Sequence, residues 1–106
     1  MFIYIMEVHM NKEIALMFKA LGDENRLKIF ELLIEGETCG CTLIDKLPIT
    51  QPTMSYHLKT LNNVKLTTSY KEGTWKKHHV DMDKIDLLIR YLENLKNIKS
   101  ECLIDA

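Results

Sequence analysis

The sequence predicts one mainly α-helical domain that carries a single β-hairpin. Apolar residues recur at helical spacing through most of the chain. Pro48 separates two short helical segments, and the pair Glu72-Gly73 separates two β-rich segments. Two short helices joined by three residues form a helix-turn-helix, and a hairpin that follows it is a wing. With 106 residues, the whole chain (residues 1–106) is predicted to be one winged helix-turn-helix domain.

The first two helices are predicted from capping residues and apolar stripes. Asn11 is a good N-cap for a first helix over residues 11–21, which Gly22 ends. Residues 1–9 are expected to form a flexible arm or to reflect an upstream start codon. Asp23 is expected to cap the second helix, and Gly36 to stop it. The residues expected to face inward are Ile14, Met17, Phe18 and Leu21 on the first helix, and Leu27, Phe30, Leu33 and Ile34 on the second.

The helix-turn-helix is predicted over residues 42–62. Thr42 and Asp45 have the spacing of a capping box for a short third helix, which Pro48 breaks. Thr50 is expected to cap the fourth helix, and Pro52 lies in its first turn, where a missing N–H costs little. The residues expected to be buried are Leu43, Ile44 and Leu47 on the third helix, and Met54, Leu58 and Leu61 on the fourth.

The wing and the last helix complete the predicted fold. Residues 66–71 and 74–80 are predicted strands, and the last helix starts near Asp83. This helix carries a seam made of Ile85, Leu88, Leu92, Leu95 and Cys102. One interpretation is that the seam packs against the first helix of its own chain and has no other partner. Because the terminal helices otherwise have little core to cover, we expect a homodimer in which residues 83–106 form the dimerisation helix and tail.

The charge pattern indicates one face that touches phosphate. The net charge is −1, but residues 46–80 contain six lysines and a single acid, Glu72. No secretory signal is visible, and no apolar run approaches the roughly 20 residues of a membrane span. We therefore expect a cytoplasmic protein with reduced thiols and no membrane partner. Cys39 and Cys41 stand too close in sequence for an unstrained disulfide to be expected.

Three segments of the chain resemble the ArsR/SmtB family of metal-responsive repressors. Residues 20–33 are similar to the start of the family's second helix, and residues 50–61 to its recognition helix. Residues 37–43, a glutamate followed by Cys-x-Cys, resemble the metal box of the arsenical-repressor branch. The resemblance implies a homodimeric winged helix that represses its own operon and that metal releases from a palindromic operator. A third cysteine often found in such boxes is replaced here by Ile44, and the last helix lacks the histidines of the family's zinc sites.

Cys39 and Cys41 are the predicted inducer ligands. Thiolates favour soft or borderline ions, so As(III) and Sb(III) are favoured, and Cd(II), Pb(II), Zn(II) and Cu(I) are compatible. Two other interpretations stay open, namely thiol redox sensing and two small buried residues without a thiol function. The third ligand is undetermined; the candidates are Cys102, His9 of the other subunit, a small cellular thiol and water.

The predicted partner is double-stranded operator DNA. Residues at the start of a recognition helix reach base edges, and lysines on a hairpin suit the phosphate backbone. The candidate DNA-binding residues are Gln51, Thr53, Ser55, Tyr56, Lys59, Lys71 and Lys76. The histidines at 57, 78 and 79 are expected to pack or to lie near phosphate. No Ser/His/Asp set and no phosphate loop is visible, so an enzyme is not predicted.

Overall fold

The computed structural model describes the backbone of residues 2–105 and the side chains of residues 11–98. Its elements, in chain order, are α1 (Phe2–Leu21), α2 (Glu24–Ile34), α3 (Gly40–Leu43) with a 3₁₀ turn (Ile44–Lys46), α4 (Gln51–Asn63), β1 (Thr67–Glu72), β2 (Trp75–Val80) and α5 (Met82–Asp105). α3 and α4 form the helix-turn-helix, and β1 and β2 form the wing. The predicted winged helix-turn-helix is confirmed.

The start of α1 differs from the prediction. The helix begins at Phe2, so Asn11 lies in its interior as an exposed residue and is not an N-cap. Residues 2–9, predicted as an arm, belong to the same helix. The physical reason is that no Gly or Pro interrupts the chain before Gly22, so nothing local stops the helix at Asn11. The end of α1 is as predicted, and the Gly22 N–H donates to the Lys19 carbonyl.

Both ends of α2 follow the prediction, but its apolar pattern does so only in part. Asp23 is the N-cap, and its carboxylate accepts a hydrogen bond from the backbone N–H of Arg26 (3.0 Å), which lowers the pKa of Asp23. Gly36 has a φ of 116°, a backbone conformation that favours glycine. Leu27 and Ile34 were expected to be buried, but they are 46% and 48% exposed. At 3.6 residues per turn they lie away from the face that is buried, which carries Ile29, Phe30, Leu32 and Leu33.

The start of α3 is the second correction. Its N-cap is Cys39, whose sulfur accepts from the Cys41 N–H (3.4 Å), and not Thr42. Thr42 instead lies inside the helix and donates its hydroxyl to the Cys39 carbonyl (2.8 Å). Asp45 is in the 3₁₀ turn that follows. The extended backbone at Cys39 lets the helix begin at Gly40, two residues before the predicted cap.

The recognition helix α4 begins as predicted. The Thr50 hydroxyl accepts from the Thr53 N–H (3.4 Å), and Pro52 occupies the first turn. Met54, Leu58 and Leu61 are buried. The wing follows as an antiparallel pair whose register runs from Thr67 opposite Val80 to Glu72 opposite Trp75. The turn is therefore Gly73-Thr74, one residue later than predicted, and Gly73 takes the positive φ of 63° that it needs.

A third extended segment joins the wing. Cys39 pairs with Lys77 in an isolated antiparallel bridge, and the His78 N–H donates to the Thr38 carbonyl (2.8 Å). The loop before α3 is thus hydrogen-bonded to β2, although about 40 residues separate the two in sequence. The thiol segment is therefore tied to the two-stranded wing by one isolated bridge.

The terminal helices expose an apolar stripe. The rings of Phe18 on α1 and Tyr91 on α5 are in tilted contact, with 6.2 Å between their centroids, and Leu88 is buried. The exposed apolar residues on these two helices are Leu16, Phe18, Met82, Ile89, Leu92, Leu95 and Ile98. Several large apolar side chains exposed on two packed terminal helices favour an interaction site there. Within the described residues, no helix has the length and hydropathy to cross a membrane.

Candidate metal and DNA-binding site

The predicted DNA-reading residues lie at the start of α4. Gln51, Ser55, Tyr56 and Lys59 are exposed, and Tyr56 is 62% exposed, an unusual position for a large aromatic side chain. Thr53 differs from these four because it is half-buried and its hydroxyl accepts from the Thr50 hydroxyl (3.0 Å). That contact makes Thr53 part of the helix cap.

Arg26, which no sequence motif marked as a site residue, hydrogen-bonds to the opposite face of α4. Arg26 of α2 donates from Nη1 to Nδ1 of buried His57 (3.1 Å) and from Nε to the Ala20 carbonyl (2.6 Å). Because a guanidinium can only donate, His57 Nδ1 is the acceptor. This pair connects the end of α1 to the middle of α4. It shows His57 to be a packing residue and not one that faces phosphate.

Loss of the Arg26 contact is expected to destabilise the domain. Arg26→Ala leaves the buried Nδ1 of His57 without its charged donor, so the free energy of unfolding should fall by about 1.5–3 kcal/mol. Denaturant unfolding at a fixed protein concentration measures the change. The matched control is Lys28→Ala on the same helix; its ion pair with Glu31 spans 4.0 Å between exposed side chains and should contribute less than about 0.5 kcal/mol. Equal effects of the two substitutions would contradict the role assigned to Arg26.

The wing places two of the predicted phosphate contacts side by side. Lys71 and Lys76 are cross-strand partners, and both are exposed. Directly opposed residues project from the same face of a sheet, so their positive charges lie together. Lys77 differs, because its ammonium pairs with Glu72 (3.1 Å). Trp75, predicted to pack on the wing, is 57% exposed.

The two predicted ligands, Cys39 and Cys41, lie at the start of α3. Their sulfur atoms are joined in a disulfide, with 5.3 Å between the Cα atoms. This separation is ordinary for a disulfide, and the two residues are bridged although no unstrained disulfide was expected at this spacing. Side chains whose sulfurs can meet can also turn, once reduced, toward a single soft ion. The donor set therefore fits a thiophilic ion.

His9 and Cys102 are the protein side chains predicted as a third ligand to the ion. The side chains of His9 and Cys102 lie outside the described residues. Among residues 11–98, no group of three His, Cys, Asp or Glu side chains is arranged to hold a metal. Glu37 of the metal box bonds to Lys46 (2.9 Å), and this ammonium, followed by Thr42, lowers the pKa of the Glu37 carboxyl. This ion pair thus joins the segment before α3 to the end of the 3₁₀ turn that follows it.

One groove connects the thiols to the predicted DNA face. Its volume is about 370 Å³. It is lined by Cys39, Gly40, Cys41, Ile44, Gln51, Met54, Ser55, Leu58, Trp75, Lys76 and His78. The lining residues come from the start of α3 and the turn after it, from α4 and from β2. A ligand held by the sulfurs would therefore lie against residues predicted to contact DNA.

His78, on the groove wall, is buried to 5% exposure, and its Nδ1 has no hydrogen-bond partner among the described residues. Burial lowers the pKa of His78, and the charge of Lys76 adds to the effect. His79, the next residue, is exposed and stacks on Tyr70. Of His57, His78 and His79, only His78 lines the groove. The alternation of side chains along β2 could have indicated that His78 and His79 lie on opposite faces.

The helix-turn-helix, the wing and the exposed polar start of α4 define a DNA-binding transcriptional regulator and not an enzyme. Residues 23–66 match the family model described as "Bacterial regulatory protein, arsR family". Together with the relatives below, this match shows that the chain belongs to the arsR family.

Curated relatives cover most of the chain. An uncharacterised HTH-type transcriptional regulator of Methanocaldococcus jannaschii is 40% identical over 82 residues, which are 76% of this chain and 92% of that protein. The arsenical resistance operon repressor of Staphylococcus aureus is 33% identical over 87% of this chain and 88% of its own length. A CadC homolog of the same organism, a cadmium resistance transcriptional regulatory protein, is 33% identical over 73% of this chain and 64% of its own length.

Solved structures confirm the fold. An ArsR-like transcriptional regulator from Rhodococcus sp. RHA1 superposes with a TM-score of 0.83 at 25% identity, over 90% of each chain. A homodimeric winged helix-turn-helix DNA-binding domain from Mycobacterium bovis superposes with a TM-score of 0.69 at 23% identity, over 94% of this chain and 90% of that one.

Proposed function

We propose that this chain is a cytoplasmic repressor that a thiophilic metal or metalloid releases from its operator by binding to Cys39 and Cys41. As(III) and Sb(III) are favoured because thiolates prefer soft ions and because a relative is an arsenical repressor; Cd(II), Pb(II) and Zn(II) remain candidates. The observation that carries the proposal is the shared groove, in which both sulfurs line the same cavity as Gln51 and Ser55.

The proposed coupling runs through short and direct contacts. Drawing two sulfurs onto one ion reshapes the segment around Gly40, where Cys39 is also the α3 cap and the partner of Lys77. The change would reach Gln51 through the short turn after α3, and the wing through the Thr38–His78 hydrogen bond. A shift in either element lowers operator affinity. Coupling of this kind is worth about 1–3 kcal/mol, or roughly 5- to 150-fold.

A titration with a panel of ions tests the proposal. Phosphine-reduced protein bound to its operator would be titrated with As(III), Sb(III), Cd(II), Pb(II) and Zn(II) while DNA anisotropy is recorded. Release by at least one of these ions at a concentration comparable to that of the protein supports the proposal. Retention of DNA in the presence of all five would contradict it.

The disulfide supports a second candidate, thiol redox sensing at the same two residues. Because the sulfurs meet in a bond, an oxidant could form this disulfide and reshape the same segment. The distinction is direct: peroxide or persulfide would release DNA from the reduced protein without any metal. A response to an ion under strictly reducing conditions, with none to peroxide, favours metal sensing.

We also propose that the functional unit is a homodimer built from α1 and α5. The exposed apolar stripe on these helices supports this, and the structurally similar Mycobacterium bovis domain is described as homodimeric. A two-fold dimer would present two α4 helices and two wings to a palindromic operator, with half-sites spaced by about one helical turn or a multiple of it.

Substitutions on the proposed DNA face are expected to act in two distinct ways. Gln51→Ala should reduce discrimination between operator and mutated sites, at a cost of about 1–3 kcal/mol, because a base contact is lost. Lys76→Ala should weaken all sequences alike and lower the salt slope by about one, because a phosphate contact is lost. Anisotropy titrations at several salt concentrations measure both, and Lys12→Ala on α1 is the control. Wild-type binding by both variants would show that the DNA face is misassigned.

A further inference from the structure

The proposed inducer site has fewer donors in the described chain than its favoured ion needs. As(III) takes up to three thiolate ligands, and the described lining of the groove carries two thiol sulfurs, those of Cys39 and Cys41, beside the thioether of Met54. Within residues 11–98 no third His, Cys, Asp or Glu joins them in a metal-binding group. A ligand from outside these residues must therefore complete the site.

The groove has room for such a ligand. Its volume of about 370 Å³ falls within the range of about 300–1,000 Å³ that is usual for small-molecule sites. An ion held by two sulfurs needs only a small part of that space. The apolar part of the lining is formed by Ile44, Met54, Leu58 and Trp75.

The charge of the groove also restricts the ligand. Among residues 11–98, its lining contains no Asp or Glu, and its one cationic side chain is the exposed Lys76 on β2. The amide of Gln51 and the hydroxyl of Ser55, both on α4, also line the groove. These groups suit a ligand with a short organic body and a terminal carboxylate.

We propose that a small carboxylate-bearing thiol supplies the third sulfur to As(III) at Cys39 and Cys41, with its organic part in the groove and its carboxylate on Lys76. Two equivalents of the small thiol first reduce the Cys39–Cys41 disulfide and leave as their own disulfide. The two cysteine S–H groups and that of one further small thiol then react with arsenous acid; three As–S bonds form, three As–O bonds break and three waters leave, and in this second step no oxidation state changes. This inference rests on the proposed function and names the species that the sensor binds, a mixed thiolate complex of the metalloid.

The proposal gives Lys76 two competing partners. The same ammonium is predicted to contact the DNA backbone, so a carboxylate that occupies it removes one phosphate contact. The organic part would also fill the space between α4 and the wing. Both effects lower operator affinity, in addition to any movement of α3.

The test measures arsenite binding in the absence of DNA. Full-length protein reduced with a phosphine would be titrated with arsenite in excess glutathione or excess 2-mercaptoethanol, which has no carboxylate. Trp75 is the only tryptophan of the chain and lines the groove, so its fluorescence reports binding. We expect glutathione to give about fivefold tighter binding, the size of one exposed ion pair. Native mass spectrometry should show one arsenic and one glutathione per chain.

A pair of lysine variants makes the test specific. Lys76→Gln should abolish the advantage of glutathione over 2-mercaptoethanol. Lys71→Gln removes the same charge from the same hairpin but does not line the groove, so it should preserve that advantage.

Three results would overturn the inference while leaving the proposed function intact: a complex that contains arsenic without glutathione, equal affinities in the two thiols, or an unchanged glutathione advantage in Lys76→Gln. The first of these, if lost in Cys102→Ser, would identify Cys102 as the third ligand. Failure of arsenite to bind with either thiol would also overturn the inference, whereas the proposed function fails only if none of the five ions releases DNA.

Discussion

Protein in which Cys39 or Cys41 is replaced by serine is expected to bind operator DNA like the wild type and to stay bound when As(III) or Cd(II) is added. A serine hydroxyl is a hard, neutral ligand and does not replace a thiolate on a soft ion. It can, however, accept the hydrogen bond that Cys39 accepts from the Cys41 N–H, so the start of α3 should be kept. Wild-type affinity should fall roughly 5- to 150-fold on adding the ion, against less than about twofold in the variants.

Anisotropy of labelled operator, recorded under phosphine reduction, measures this difference. Cys102→Ser is the control, because it removes the third thiol of the chain. If that variant alone loses the response while the Cys39 and Cys41 variants keep it, the sensor lies at the end of α5 and the proposed mechanism is wrong. Linkage supplies an independent check, since operator DNA must weaken binding of the ion by the same factor by which the ion weakens binding of DNA.

Leu92→Lys is expected to give monomers at micromolar concentration. Leu92 is 50% exposed on α5, in the stripe with Leu95 and Ile89, and a lysine there would place two like charges at a two-fold contact. Operator affinity should fall about 100-fold or more, because two linked half-site contacts become independent. The folded core should be retained, since the side chain is not part of the buried cluster.

Sedimentation velocity measures the first effect, and anisotropy measures the second. Asn97→Lys is the matched control: it adds the same charge to the same helix, is exposed, and by helical spacing lies away from Leu92. Wild-type protein that is already monomeric at micromolar concentration would contradict the dimer. A dimeric Leu92→Lys variant would place the interface elsewhere.

Local sequence rules determined much of this fold. Asp23 and Thr50 cap α2 and α4, and a wing follows the helix-turn-helix, because caps and hairpin turns depend on a few neighbouring residues. The buried positions of α4 followed from helical spacing. Local rules failed at two helix starts. α1 runs through Asn11 because no Gly or Pro before Gly22 interrupts it, and the N-cap of α3 is Cys39 instead of Thr42.

Only the tertiary structure decided how the candidate site is assembled. The bridge from Cys39 to Lys77 and the hydrogen bond from Arg26 to His57 join residues more than 30 positions apart, and no periodicity in the sequence encodes which partner is chosen. The groove exists because α3 contacts both β2 and α4, which brings the two thiol sulfurs and Lys76 to one cavity. Spacing along the chain could indicate thiols and a DNA-reading helix. Their contact across one groove depends on the packing of all three elements.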